Sequence, residues 1–132
     1  MTTQTSEELR QHSWQLTEMG PVGASSPIPP DLSVTLEFGE EAKFGGKSAC
    51  NGYFGSYEVD GPNLSFSAVG ATRMYCGEAA MQLEDAYFTA LGQVQTYQLQ
   101  DDQLTLFYDQ GKSILLFSPR VAQQDDSKQT IL

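Results

Sequence analysis

The stretch Gln93–Pro119, QVQTYQLQDDQLTLFYDQGKSILLFSP, decides the fold class. Tyr97 and Leu99 alternate with polar neighbours as far as the pair Asp101-Asp102, and Leu104, Leu106 and Tyr108 alternate again beyond it. A period of two sends successive side chains to opposite faces of a strand, so each run has one face to bury. Asp109-Gln110-Gly111 then breaks the chain. Ile114–Phe117 is apolar at every position, as in a strand covered on both faces, and Pro119 closes it. Three short strands joined by polar turns predict an antiparallel meander.

Just upstream the period changes. Between Glu78 and Leu91, the residues Ala80, Leu83, Tyr87, Phe88 and Leu91 fall near helical spacing, and Gly92 offers a stop. Further back, Tyr57 and Val59, an Asp60-Gly61 turn, then Leu64, Phe66 and Ala68 predict a hairpin. Leu32, Val34, Leu36 and Phe38 alternate as another strand, and Trp14 and Leu16 share one side of a first strand. Gly20–Pro30, GPVGASSPIPP, is rich in turn residues and predicts a surface loop. The fold class is therefore α+β but mainly β. It is a small, partly open antiparallel β-barrel with one amphipathic helix inserted before a C-terminal three-stranded meander. Residues 1–12 read as a polar arm, 13–119 as the domain, and 120–132 as a polar tail expected to be flexible.

The chain's 132 residues suit one domain, and 39% hydrophobic residues suffice for a core without staples. Seventeen acidic against seven basic residues give a net charge of -10. That surface repels phosphate backbones and anionic lipid, which excludes nucleic acid as an expected partner. No apolar run reaches membrane-spanning length, and no signal peptide is visible at the N-terminus. The expected location is cytoplasmic as the sequence stands, or periplasmic or outer-membrane-associated if a leader was removed; a monomer is expected.

The second informative stretch is Ser48–Gly61, SACNGYFGSYEVDG, with its other cysteine at Cys76 in TRMYCG. Cys50 and Cys76 admit three readings: thiols packed as small hydrophobes, a structural or redox-active disulfide, or part of a metal site. The absence of Cys-x-x-Cys spacing argues against a dithiol oxidoreductase. Zinc would need further ligands, and the only histidine is His12, in the arm. Asn51-Gly52 reads as a turn dipeptide, and Gly55 as a bulge or a point of close backbone approach. Arg73 could anchor an anionic group, either of a ligand or, as the favoured reading, of nearby Glu78 in an ion pair within the fold, and Thr72 could satisfy backbone groups ahead of the helix. The aromatics Tyr53, Phe54, Tyr75, Tyr87 and Phe88 either fill the barrel or line an apolar pocket. Candidate ligand contacts are thus Asn51, Tyr53, Arg73 and Phe88.

Catalysis finds no support. Glu58 and Asp60 are expected on a solvated strand face, and adjacent Glu84 and Asp85 point apart on a helix. General acid–base chemistry needs a sheltered carboxyl with a shifted pKa. A single histidine leaves no credible nucleophile triad, and no phosphate-cradling glycine motif occurs. No catalytic residue, metal or cofactor is expected.

Three pieces together resemble the META domain (HslJ-like) family. These are Trp14 and Leu16 as Trp-x-Leu; Cys50, Asn51, Gly55 and Tyr57 as Cys-Asn-x-x-x-Gly-x-Tyr; and Thr72, Met74 and Cys76 as Thr-x-Met-x-Cys before a helix. The resemblance runs from about Ser13 to Pro119. It implies a compact barrel-like fold similar in shape to lipid-binding pilot proteins, with bacterial heat-shock, stress or secretion-related roles and no established reaction. Many family members are outer-membrane lipoproteins, whereas this sequence shows no lipobox cysteine. The expected function is non-enzymatic binding of a protein segment or an apolar, lipid-like ligand. The alternative is a structural accessory domain with a redox-sensitive cysteine pair, and a thiol enzyme is a more remote reading.

Overall fold

The computed structural model of the protein describes residues 9–29 and 31–120. Its strands are β1 (Ser13–Pro21), β2 (Ser26–Pro27), β3 (Thr35–Phe38), β4 (Lys43–Ser48), β5 (Asn51–Asp60) and β6 (Asn63–Ala71). Helix α1 (Glu78–Leu91) follows, then β7 (Thr96–Gln100), β8 (Gln103–Tyr108) and β9 (Ser113–Pro119). The residues of the expected arm before Leu9 and of the expected tail after Arg120 lie outside the described residues.

The strands pair antiparallel in the order β2-β1-β3-β4-β5-β6-β7-β8-β9, and β1 also pairs with β9. Eight strands therefore close on themselves, with β2 as an addition. Strand β1 can serve three neighbours because it is nine residues long. Ser13–Gln15 pair with β3, Glu18 and Met19 with β2, and the opposite edge runs along β9.

The meander forms as expected. Gln100 pairs with Gln103, and both residues of the intervening turn, Asp101 and Asp102, have positive φ (55° and 61°). Two successive left-handed residues give the turn twist that matches a hairpin, and aspartate tolerates that conformation better than most side chains. The barrel is weakest between β6 and β7, where the register contains the single pair Asn63↔Thr96. Leu64 N donates to Gln95 O and Tyr97 N to Pro62 O, both at 3.0 Å. A helix rather than a hairpin joins these two strands, so no turn fixes their register. The barrel expected to be partly open is thus closed, and this seam is its most thinly paired junction.

The interior is filled. Trp14, Leu36, Leu64, Leu104, Leu106, Leu115 and Phe117 are fully buried. Helix α1 contributes Tyr87 and Leu91 to the same core. The Tyr87 ring stands edge-on to Tyr53 of β5 at 5.5 Å and to Phe117 of β9 at 6.5 Å, spanning strands on opposite sides of the barrel.

Four local features differ from the sequence reading. The Gly20–Pro30 loop contains β2, whose Ser26 and Pro27 pair with β1, as a proline can at a sheet edge. Core packing begins before Ser13: Leu9 is fully buried, and its carbonyl accepts the Trp14 indole N–H at 2.9 Å. The turn between β4 and β5 is Ala49-Cys50, with Ala49 at φ 76°, whereas Asn51 and Gly52 already belong to β5. Asn51 is extended because its side chain bonds distant groups in place of its own turn. The strand expected from Leu32 begins at Thr35, preceded by an isolated bridge from Val34 to Ser48.

Candidate functional site

Asn51 and Glu84 organise one end of the barrel. The Asn51 Oδ1 accepts the backbone N–H of Met74 at 2.6 Å and the Thr72 hydroxyl at 2.9 Å. Its Nδ2 donates to the Met74 carbonyl at 3.2 Å and to Glu84 Oε2 at 2.9 Å. The amide thus grips both polar groups of the Met74 backbone, as a neighbouring strand would. Glu84 Oε1 in turn accepts the Asn51 backbone N–H at 3.0 Å and the Ser48 hydroxyl at 2.8 Å. Asn51, Ser48 and Glu84 are all buried.

Burial pushes the Glu84 carboxyl up, but hydrogen bonds from the Asn51 amide, the Ser48 hydroxyl and the Asn51 and Cys50 backbone outweigh it and hold the group below its ordinary value. A carboxylate kept ionised and engaged by donors on both oxygens has little capacity to carry protons for a reaction.

The two cysteine motifs meet here. Cys50 and Cys76 are joined by a disulfide with Cα atoms 5.7 Å apart. Cys50 is buried in the β4–β5 turn, and Cys76 is exposed at the end of the Thr72–Cys76 loop. The bridge and the Asn51 clasp fasten that loop to the start of β5 at two points.

A cleft of about 520 Å³, open to solvent on one side, lies between the end of β6, this loop and α1. Val69, Gly70, Ala71, Met74 and Tyr75 form one wall and Met81, Asp85 and Phe88 the other, with Asn51 and Glu84 also contributing and Arg73 beside them. Met74 and Tyr75 are 56% and 76% exposed, and Val69 and Phe54 are exposed nearby. The Met74 backbone is held while its side chain is free to meet a ligand.

The structure therefore brings Asn51, Thr72, Arg73, Met74 and Phe88 to one place. Tyr53 belongs elsewhere. It sits in the core, where its hydroxyl donates to Thr35 O at 2.7 Å and so accepts the proton of Tyr87. Burial raises the pKa of both phenols, and that of Tyr53 is raised further by Tyr87 beside it. Trp14 and Tyr57 are packing residues, and the Tyr57 hydroxyl donates to Gly39 O at 3.1 Å. Gly55 lies at a bulge between β5 and β6, against the Phe44 ring. Glu58, Asp60 and Asp85 are exposed.

Glu84 is the residue that sequence reasoning passes over, as one of two adjacent helix carboxylates that point apart with no shelter expected for either. The available signal is its place among Ala80, Tyr87 and Leu91, at helical spacing along the buried stripe. Among the described residues, no group of three or more His, Cys, Asp or Glu side chains could hold a metal ion, and no helix is long and apolar enough to cross a membrane.

The fold is shared with solved structures. An NMR structure of a protein from Burkholderia xenovorans superposes with a TM-score of 0.73 at 28% identity, covering 88% of this chain and 86% of that one. A second protein solved by NMR gives 0.68 at 24% identity, covering 90% and 96%. A DUF4847-family protein from Bacteroides vulgatus gives 0.66 at 16% identity, covering 86% and 96%, a likeness of fold alone. No curated protein matches the chain. The META domain signature matches residues 7–121, nearly the whole chain and both halves of the Asn51–Met74 clasp. The protein belongs to the META domain family.

Proposed function

We propose that this META domain is a non-enzymatic binding module whose cleft, between β6, the Thr72–Cys76 loop and α1, receives an apolar ligand or the apolar side chains of a protein segment. One observation carries the reading: Val69, Met74 and Tyr75 stand exposed around a hollow, while the barrel beside it is filled. Clustered exposed hydrophobics mark binding surfaces far more often than scattered ones do. A ligand inside the barrel has no room, so the site is the lateral cleft. The non-enzymatic character is supported by Glu84, a sheltered carboxylate already committed to structural hydrogen bonds.

A stress- or envelope-related role draws support from the disulfide, since such bonds persist in oxidising compartments and are short-lived in reducing ones. The same bond favours a periplasmic or outer-membrane-associated location over a cytoplasmic one. It also favours a second reading, an accessory domain with a redox-sensitive staple, because the exposed Cys76 side is open to reductant.

The test is saturable binding of the neutral apolar fluorophore N-phenyl-1-naphthylamine. Wild-type protein binds it at one site, and Val69→Asp or Met74→Asp abolishes binding with unchanged circular dichroism. Undiminished binding in both variants, or none in the wild type, removes the cleft from consideration.

A further inference from the structure

We infer that the outer edge of β6, from Phe66 to Ala71, accepts an added β-strand: an extended segment of a basic partner protein that lies along the cleft. The inference rests on the cleft being the binding site and names the kind of occupant.

Strand β6 is hydrogen-bonded along most of its length to β5, but its other edge meets β7 only at Asn63↔Thr96. Leu64 N and Pro62 O face β7, so alternation turns the backbone of Phe66, a residue with 9% of its surface exposed, toward the same side, where β7 no longer pairs. At the far end Thr72 N donates to Gly52 O, which turns the backbone of Ala71 away from β5. The phase reverses at the bulge opposite Gly55, where Ala68 has φ 55°. Phe66 and Ala71 thus present backbone donors and acceptors on an edge without a strand partner.

Edge strands are ordinarily guarded by charged side chains or proline, which discourage pairing with another chain. The nine residues of β6, NLSFSAVGA, include neither. Within the strand the bulge is the guarding device, with α1 standing across the cleft from it, and the small side chains at Ser65, Ser67, Gly70 and Ala71 leave room for close approach. An added strand lies about 4.8 Å from its neighbour. Val69–Ala71 line the cleft, so a strand added beside them would bring alternate side chains of the segment to Met81 and Phe88 of α1.

Charge selects the occupant. Glu58 and Asp60 border a smaller hollow at the start of β6, and at the cleft itself Asp85 and the buried Glu84 carboxylate outnumber the one lining cation, Arg73. The chain carries a net charge of -10, so a second copy is repelled while a segment bearing Lys or Arg between apolar residues is drawn in.

The experiment uses the full chain and a blocked peptide of alternating lysine and valine, beside an analogue methylated at every backbone nitrogen. Methylation keeps the side chains and removes the strand's donors. The expected result is that the plain peptide binds, slows amide exchange at Phe66 and Ala71 at least about tenfold, and binds at least about tenfold more tightly than its analogue. Equal binding of the two overturns strand addition. So does protection that appears without peptide and grows with protein concentration, which would make a second copy the occupant. If neither peptide binds while N-phenyl-1-naphthylamine does, strand addition is wrong and the cleft stands; if the fluorophore also fails, both readings fall.

Discussion

Glu84 of the helix and Asn51 of β5 are joined twice, by the Asn51 backbone N–H to Oε1 at 3.0 Å and by Asn51 Nδ2 to Oε2 at 2.9 Å. The same carboxylate takes the Ser48 hydroxyl, so one buried anion ties α1 to both strands of the β4–β5 hairpin. Glu84→Gln places an NH2 where one of these donors must be received. Hydrogen bonds to a buried charged group contribute about 1.5–3 kcal/mol each, and an unsatisfied donor adds a cost. The expected loss is about 2–4 kcal/mol by urea unfolding. A loss below about 0.5 kcal/mol, the scale of ordinary surface substitutions, would mean that solvent takes over these bonds and that the clasp is dispensable.

The same group predicts an acid limb. Its folded pKa lies below the ordinary value of 4.5, through hydrogen bonds that outweigh burial. A depressed carboxylate contributes stability that is present above its unfolded pKa and is lost as pH falls through its folded one. The wild-type advantage over Glu84→Gln should therefore be constant from neutral pH down to about 5 and shrink as the pH is lowered further. Comparing the two proteins removes the common effect of the other acidic residues. An advantage independent of pH down to the acid unfolding limit would contradict the ionised assignment.

The alternating runs and the helical stripe were legible because each depends on local periodicity, which burial on one face imposes directly on the sequence. Leu104 and Leu106 on β8 and Tyr87 and Leu91 on α1 are cases in point. What could not be read is what depends on distant chain meeting. Asn51 is a turn former by type, yet its amide is used by a loop 23 residues away. Glu84 breaks an apolar stripe, and only Ser48 and Asn51, brought from another hairpin, make its burial tolerable. Tyr53 and Phe88 look alike as candidate wall aromatics. The pleat of β5 sends Tyr53 inward, while the helix leaves Phe88 half-buried at the cleft.

Gly55 predicts a packing effect. A Cβ there would stand 2.8 Å from both Phe44 Cε1 and the Ser67 carbonyl oxygen. The ring can shift, but the carbonyl belongs to the neighbouring backbone at the β5–β6 bulge. Gly55→Ala should cost about 1–3 kcal/mol, the usual scale of overpacking. The cost should be read in thermal unfolding, with loss of amide protection at Ser67 and Gly70. Unchanged stability would show that the bulge relaxes freely and that the glycine is not required by close approach.

The disulfide predicts a change in both stability and binding. Cys50 and Cys76 are 26 residues apart in sequence, and closing a loop of that length stabilises by about 3.5 kcal/mol on the chain-entropy account. Cys50→Ala/Cys76→Ala should therefore lower unfolding free energy by roughly that amount. The loop retains its second fastening, the Asn51 bonds to the Met74 backbone, so it should loosen from the Cys76 end. Amide exchange should then accelerate at Gly77 and Glu78 more than at Met74, and affinity for N-phenyl-1-naphthylamine should fall because Tyr75 is no longer held over the cleft. Reduction of the wild type with a dithiol should reproduce both effects. If stability falls while the fluorophore binds unchanged, the bridge serves the fold alone, and the redox state of the cysteines has no bearing on the cleft.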